Sequence, residues 1–227
     1  MSSNLIRRPD LLGLTREEEE FFRQYDDPFK VQDFLDSVEY NGGEVYTCKS
    51  PLTITKLALD AQHASGLPTA HCFEGALWGW TSLWLAGRES WLVNLAVEND
   101  GEHVILAYKD CEYWGSVSQS VTGVLRDHDP ICKSLRELVL TYHRVYTNTN
   151  GEKSLRAYST LYDPSVLGHS WITTPEQVGW IGDELDKLPH QPLFPPERKK
   201  RLRKASKKLL ASIYNGVPLP NKLKNDK

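Results

Sequence analysis

Apolar positions in the middle of the chain recur at two spacings, one typical of a helix and one typical of strands. From Cys72 onward, apolar residues return every three or four positions, which predicts a helix that ends at Gly87. Short segments rich in β-branched and aromatic residues follow, and they predict strands at 91–97, 103–108 and 113–118. The short connections between these segments favour an antiparallel meander.

Helices are also predicted on both sides of this segment from local start and stop signals. Thr15 and Ser134 each stand three residues before a glutamate, a spacing that forms a capping box at a helix start. The proline directly after Asp27 is another start signal. After residue 158 repeated prolines break the chain. The predicted helices are 15–25, 27–41, 52–64, 134–148, 175–188 and 198–214.

Together these elements predict an α+β fold. The helix that starts at Cys72 is expected to pack on a small antiparallel sheet, with extra helices at both ends of the chain. At 227 residues the chain can bury one substantial core, so we predict a single domain at 1–195 with its core at about 50–160. A basic C-terminal helix or tail is predicted at 196–227.

Charge is distributed unevenly along the chain. Residues 197–227 contain 11 lysines and arginines and 2 acidic residues, whereas residues 1–196 contain 16 basic and 28 acidic residues. The basic end indicates a polyanionic partner, and the acidic body could accept a cationic small substrate. Binding to nucleic-acid phosphates and a nuclear-type targeting signal are both consistent with the basic residues. Those expected to bind phosphate are Arg198, Lys199, Lys200, Arg201, Arg203, Lys204, Lys207 and Lys208.

No segment of the sequence has the pattern of a signal peptide or a membrane span. The N-terminal residues lack an apolar core of signal-peptide length, and no apolar run is long enough to cross a bilayer. We therefore expect a cytoplasmic protein with no membrane partner. The four cysteines are expected to be reduced, and no two have the spacing of zinc ligands, so no metal site is predicted.

A cysteine and a histidine are the strongest candidates for chemistry. Cys72 falls in the first turn of the predicted helix, where unpaired amide groups and the helix dipole favour a thiolate. His103 opens a predicted strand 31 residues later. A cysteine on a helix and a histidine on an adjacent sheet form the basic plan of a thiol acyl-transfer enzyme. The histidine needs an orienting acceptor, for which Ser118, Gln119 and Asp129 all remain candidates.

Tryptophans cluster in the same stretch, at positions 78, 80, 84, 91 and 114. Core packing accounts for most of them, while one or two could line a substrate cleft or stack on a planar guanidinium. Trp78 and Trp114 are the candidates for substrate binding.

These residues resemble the transglutaminase-like superfamily of papain-type cysteine enzymes over roughly residues 50 to 160. The resemblance lies in a run with Gly66, Cys72, Glu74 and Ala76, in the sequence Asp-Gly-Glu-His-Val at 100–104, and in Trp-Gly at 114–115. It implies a papain-type core in which Cys72 is the nucleophile and His103 is the base. Members of the superfamily usually have an aspartate on the strand after the histidine, and Ser118 stands near that place here.

A narrower resemblance is to the fungal arginine-containing cyclodipeptide synthases, in chain size, in the cysteine core and in the basic C-terminal segment. Those enzymes are understood to use aminoacyl-tRNA as the acyl donor. The resemblance implies an acyltransferase of secondary metabolism that makes an arginine-containing diketopiperazine through an aminoacyl thioester, with arginyl-tRNA as a partner. Glu74 and Glu102 would then pair the arginyl guanidinium. No metal or organic cofactor is implied.

Two alternatives remain at this stage. One is a transglutaminase-like cysteine peptidase or amidase, for which the basic segment would be incidental. The other is a non-catalytic binding module that kept the fold. The sequence leaves open the second amino acid and the oligomeric state.

Overall fold

The computed structural model describes residues 12–42, 48–63 and 67–214, without the side chains of 62 and 63. Gly66, the residue at 64 and the segment 215–227 lie outside the described residues. The helices are α1 (Arg16–Gln24), α2 (Pro28–Ser37), α3 (Pro51–His63), α4 (Cys72–Leu85), α5 (Leu135–His143), α6 (Ser170–Thr173), α7 (Trp180–Asp186) and α8 (Lys207–Tyr214). The strands are β1 (Glu39–Tyr40), β2 (Thr69–Ala70), β3 (Ser90–Val97), β4 (His103–Asp110), β5 (Tyr113–Val117), β6 (His128–Cys132), β7 (Leu155–Ser159) and β8 (His190–Pro192).

The helix starts that were predicted from caps are confirmed. At the start of α1, the Thr15 hydroxyl accepts from the Glu18 N–H, and the Glu18 carboxylate accepts from the Thr15 N–H. The Asp27 carboxylate accepts from the N–H of Phe29 at the start of α2. These bonds satisfy amide groups that the first turn of a helix leaves without an internal partner.

A six-stranded antiparallel sheet lies at the centre, in the order β6-β5-β4-β3-β7-β8. The predicted meander is confirmed as β3, β4 and β5. The strands β6, β7 and β8 were not predicted. Pro130 in β6 and Pro192 in β8 argue against a strand, whereas β7 has no proline and is a short segment of five residues. A proline is tolerated in β8 because that strand forms the edge of the sheet.

Both faces of the sheet are covered. On one face Leu92 and Leu106 pack in a core that includes residues of α4. On the other, Val93 and Ile105 pack in a second core that includes residues of α5. Because successive strand residues point to opposite faces, the central strands are apolar on both sides. The predicted α and β composition is therefore confirmed at this coarse level, with the helix that starts at Cys72 packed on a small antiparallel sheet.

Four predicted helices are shorter than expected: α2 ends at Ser37 and α5 at His143, before the predicted ends at 41 and 148, and the other two lose their first half. Only α7 forms within 175–188, because the Val178 N–H donates to the Cys48 carbonyl at 2.9 Å and holds the preceding chain against the body. The predicted helix at 198–214 is split into a 3₁₀ helix, Pro196–Arg201, and α8. Between them the Ala205 N–H donates to the Gly151 carbonyl at 2.8 Å, so the backbone there is bonded to the body instead of within a helix.

The basic C-terminal segment therefore packs on the body in its described part. Lys199 pairs with Glu98, and Ile213 is buried. The Tyr214 hydroxyl donates to the Thr147 carbonyl. Within the described residues, none of the helices has the length and apolar character that crossing a membrane requires.

Candidate active site

Cys72 is the first residue of α4 and is partly exposed. The residue before it begins the helix: the His71 Nδ1 accepts from the Phe73 N–H at 3.2 Å, and the Glu74 carboxylate accepts from the His71 N–H at 3.0 Å. The Cys72 amide lies in the first turn, where backbone N–H groups have no partner inside the helix. It is therefore available to a ligand.

A cavity of about 530 Å³ contains both Cys72 and His103 in its wall. Two carboxylates, Asp100 and Glu102, lie in the same wall. None of the described lining residues is a lysine or arginine, so the cavity favours an electropositive ligand. The wall also includes Tyr40, Ser120, Thr122, Tyr146, Thr147, Asn148, Ile213 and Tyr214.

The hydrogen bonds of His103 identify which ring nitrogen can act as a base. Its Nε2 lies 3.1 Å from the Leu125 carbonyl oxygen and 3.1 Å from the Ser118 Oγ. A carbonyl oxygen only accepts, so Nε2 carries the proton and Nδ1 holds the lone pair in the neutral ring. The Ser118 hydroxyl in turn lies 2.6 Å from the Arg126 carbonyl oxygen, to which it donates. Ser118 thus stands beside the nitrogen that an aspartate usually orients.

The imidazole of His103 is neutral over the physiological range. Burial lowers its pKa to about 4, the hydrogen bond to Leu125 works in the opposite direction, and the positive charge that His128 can carry adds a further lowering. A neutral imidazole at pH 7 can accept a proton.

The thiol of Cys72 is also neutral. Burial raises its pKa, while the backbone N–H groups of Val104, Phe73 and Cys72 itself lower it to a smaller extent. The expectation of a resting thiolate is therefore wrong, because loss of solvent around the sulfur outweighs the amide groups at the helix start. The two groups form a thiol and imidazole pair rather than an ion pair.

The two side chains approach the cavity from opposite sides of the sheet. The pleat of β4 places His103 on the same face as Ile105, and its ring lies 6.4 Å from that of Tyr142 on α5. Cys72 begins the helix on the other face. No hydrogen bond joins Cys72 to His103 among the described residues.

Glu74 has a different role from the one expected. It is fully buried and accepts from the Lys49 N–H at 2.7 Å, the Lys49 Nζ at 2.8 Å, the Asn41 Nδ2 at 2.7 Å and the His71 N–H. Burial acts to raise its pKa, but these bonds and the charge of Lys49 keep the pKa below its usual range. Its lone pairs are occupied, so Glu74 supports the helix start and cannot pair a substrate guanidinium. Glu102 is exposed in the cavity wall, where its carboxylate accepts only from the Asn94 Nδ2 at 3.2 Å among the described residues.

Three other predicted residues lie outside the cavity. Trp78 is fully buried, stacks on Phe34 with 3.9 Å between ring centroids, and donates from its indole N–H to Thr55. Trp114 is buried in the second core. Both tryptophans are packing residues, which corrects the expectation that they bind substrate. Asp129 is exposed on β6 and has no contact with His103, which corrects its candidacy as the orienting acceptor.

A second cysteine and histidine pair escaped the sequence analysis. The Cys48 Sγ lies 3.1 Å from the His71 Nε2, and both side chains are buried. Because the His71 Nδ1 accepts from a backbone N–H, the Nε2 carries the proton and donates to the sulfur. Burial raises the pKa of the Cys48 thiol, so this pair is inert and supports the start of α4. The one sequence signal was the glutamate three residues after His71, a capping-box spacing with an unusual first residue.

The eight basic residues from Arg198 to Lys208 are all exposed. Lys199 pairs with Glu98, and Lys204 lies 3.4 Å from Glu152. The remaining six have no ion pair within the described residues. Because α8 supplies Ile213 and Tyr214 to the cavity wall, this charged surface lies next to the cavity.

Comparisons of the chain with protein-family models and with curated protein sequences returned no match.

Proposed function

We propose that this protein is a cysteine-dependent acyltransferase that uses aminoacyl-tRNA to form an arginine-containing cyclodipeptide, on a core of the transglutaminase-like type. One observation carries the proposal: Cys72 and His103 share a cavity with two carboxylates, and the basic C-terminal segment supplies part of its wall. The carboxylates suit a cationic acyl group. The exposed lysines and arginines suit the phosphates of a nucleic-acid donor.

The first half of the reaction loads the cysteine. The Cys72 sulfur attacks the ester carbonyl of the aminoacyl-tRNA, and the thiol proton moves by way of the bound donor to the Nδ1 of His103. The bond from the carbonyl carbon to the ribose oxygen then breaks, and the imidazolium returns the proton to that oxygen. The free tRNA hydroxyl and an aminoacyl thioester are the products. The Cys72 N–H is placed to donate to the developing oxyanion.

The second half forms both peptide bonds. The α-amine of a second aminoacyl-tRNA attacks the thioester carbonyl, the carbon–sulfur bond breaks, and the sulfur recovers a proton. The dipeptide is now esterified to the second tRNA. Its free amine attacks that ester, which closes the six-membered ring and releases the tRNA hydroxyl. The reaction is balanced without an oxidant, a metal or a further co-reactant.

We propose a smaller set of substrate residues than the sequence predicted. Asp100 and Glu102 are the carboxylates in the cavity wall. The two Asp100 oxygens accept from the Gly101 N–H and the Ser154 hydroxyl, so its position is held. Glu102 is the less constrained of the two, and we assign it the contact with the cationic group.

Intact-mass spectrometry of the protein after incubation with arginyl-tRNA tests the proposal. We expect a mass increase of one arginyl group in wild type and in Cys111→Asn, because Cys111 is an exposed cysteine outside the cavity. We expect no increase in Cys72→Ala. A cyclic product that contains arginine should form only when Cys72 is present. An adduct that persists in Cys72→Ala, or no adduct in wild type, would contradict the proposal.

The role of the basic segment must be tested by charge removal rather than truncation. Deletion from residue 197 would also remove Ile213 and Tyr214, which line the cavity. Glutamine replacements at Arg198, Lys200 and Lys207, which are exposed and have no ion pair with another described residue, keep the wall intact. A cysteine peptidase or amidase should retain its activity in such a variant, whereas a tRNA-dependent enzyme should lose activity.

A non-catalytic binding module is the second candidate. It is favoured by the neutral Cys72 thiol and by the missing hydrogen bond between Cys72 and His103 within the described residues. A module of this kind would bind aminoacyl-tRNA or a cationic ligand without forming a covalent adduct. The same mass measurement, combined with a binding assay, separates the two candidates.

A further inference from the structure

A second groove, of about 260 Å³, lies where the C-terminal segment meets the end of β3 and the start of β7. Its lining is dominated by cations, with five basic and two acidic side chains. Only three of the five basic residues belong to the C-terminal segment, so the body contributes to this surface as well. The basic residues are Lys153, Arg156, Lys199, Arg203 and Lys204.

Three of these cations form ion pairs with the two carboxylates of the groove, and five basic side chains against two acidic ones leave the groove a net charge of +3. Glu98 accepts from both Lys199 and Arg156, the latter at 2.8 Å. Glu152 lies 3.4 Å from Lys204. These ion pairs hold the C-terminal segment against the body and give the groove a fixed shape.

The other two basic residues, Lys153 and Arg203, line the groove and have no ion pair within the described residues. Arg156 is held in place beside them, since its Nη1 donates to the carbonyls of Lys153 at 2.8 Å and Leu155 at 3.1 Å. Like charges in one groove repel each other, and a bound anion would remove that repulsion. A phosphate group has the charge and the acceptor oxygens for this position.

The groove is next to the reaction cavity. Asn99 lines both, and it has the left-handed backbone conformation, with φ of 56°, that asparagine tolerates. The turn that it starts therefore has the groove on one side and Asp100 to His103 on the other. An anion bound in the groove would lie at the rim of the cavity.

We infer that this groove binds a backbone phosphate of the nucleic-acid donor close to its reactive end, and so aligns the ester with Cys72. The inference rests on the proposed function for the identity of the donor. A nucleic acid fits better than a free anion because the same segment continues outward with exposed cations such as Arg198 and Lys200. A row of cations matches the repeating phosphates of one strand. Lys153 and Arg203 are the residues that contact this phosphate and so determine which phosphate of the strand lies in the groove.

The test measures binding of an RNA minihelix with an acceptor stem and a 3′ CCA end. Wild type is compared with Lys153→Gln/Arg203→Gln and with the matched control Lys133→Gln/Arg144→Gln, which lies outside the basic C-terminal segment. The control removes the same charge from exposed positions outside the groove. Neither replacement breaks an ion pair recorded in the described residues, so both variants should keep the melting temperature of wild type.

We expect the groove variant to bind the minihelix at least about tenfold more weakly than the control does. Its salt dependence, the slope of log K against log salt, should also be smaller than that of the control by about 0.9. Inorganic phosphate at constant ionic strength should compete with the minihelix in wild type and in the control, but not in the groove variant. This arm separates a site for a phosphate group from general attraction to a positive surface.

Equal weakening in the two double variants would overturn the inference and leave the proposed function standing. Failure of wild type to bind the minihelix would overturn both. If only the groove variant loses binding, yet wild type forms no Cys72 adduct with arginyl-tRNA, the phosphate site stands and the acyl-transfer proposal fails. Arg203→Gln alone, at an exposed position, provides the same comparison if the double variant is unstable.

Discussion

The protonation state of Cys72 gives a sharp test of how this site works. Iodoacetamide reacts with the thiolate and needs no base, so its rate reports the ionised fraction of the sulfur. An ordinary thiol has a pKa of about 8.5, which leaves about 3% thiolate at pH 7. Because burial raises the pKa of Cys72, its thiolate fraction at pH 7 should lie below that value.

The rate of Cys72 alkylation should therefore rise about tenfold for each pH unit between pH 6 and pH 8. A thiolate–imidazolium pair would behave differently. It would form at the pKa of the cysteine and persist to the pKa of the histidine, so the rate would be flat across that range. With His103 at a pKa of about 4 the ion pair has no pH range in which to exist.

The measurement needs a background without other reactive thiols. Cys111 is exposed and has a left-handed backbone with φ of 53°, so asparagine is the suitable replacement there. Cys48 and Cys132 are buried. Alkylation is followed by peptide mass spectrometry in Cys111→Asn, and Cys72→Ala in the same background gives the blank. A rate that is constant from pH 5 to pH 8 would refute the neutral pair.

The Cys111→Asn protein also tests whether the His103 imidazole ionises the free thiol or acts as a base only when a substrate is bound. His103→Gln should change the alkylation rate less than about threefold, because no ion pair is lost. The rate of acyl transfer from arginyl-tRNA should fall by about 10² to 10⁴, the usual contribution of a general base. Equal losses in the two reactions would mean that His103 acts on the sulfur before the substrate binds.

Four further predictions concern stability and binding. His103 has a pKa of about 4 in the folded protein and about 6.5 when unfolded, so its contribution to stability is fully present above pH 6.5 and should fall by about 3 kcal/mol as the pH drops to 4. Burial also lowers the pKa of His71, His128, His143 and His169, so urea unfolding at several pH values should show a loss on acidification in both proteins that is smaller in His103→Gln by about that amount. Glu74→Gln leaves the charge of Lys49 partly buried and should lower the free energy of unfolding by about 3 to 5 kcal/mol. Glu102→Gln should change that free energy by less than about 0.5 kcal/mol but raise the KM for a cationic acyl donor, and unchanged KM would remove Glu102 from the substrate site. Trp78→Ala should lower the free energy of unfolding by about 3 to 5 kcal/mol in a denaturant titration; at a temperature where the variant is folded its KM should match wild type, and a raised KM would restore the substrate role.

The sequence by itself determined the elements whose signals are local. The cap residues Thr15 and Asp27 act on amides two or three positions away, so their helix starts could be predicted directly. The meander of β3, β4 and β5 follows from apolar segments joined by short turns. Cys72 and His103 could likewise be chosen as candidates, because a cysteine at a helix start and a histidine at a strand start are local features.

Only the tertiary structure decided what those residues can do. Glu74 is committed to Lys49, 25 positions earlier, and the neutral state of Cys72 depends on how chain segments exclude water around the sulfur. The pleat of β4 decided which face His103 occupies. The bond between Ala205 and Gly151 turned a predicted helical tail into part of the cavity wall. Burial, partner choice and charge all depend on contacts between residues far apart in sequence, and a local pattern of residue types carries no record of those contacts.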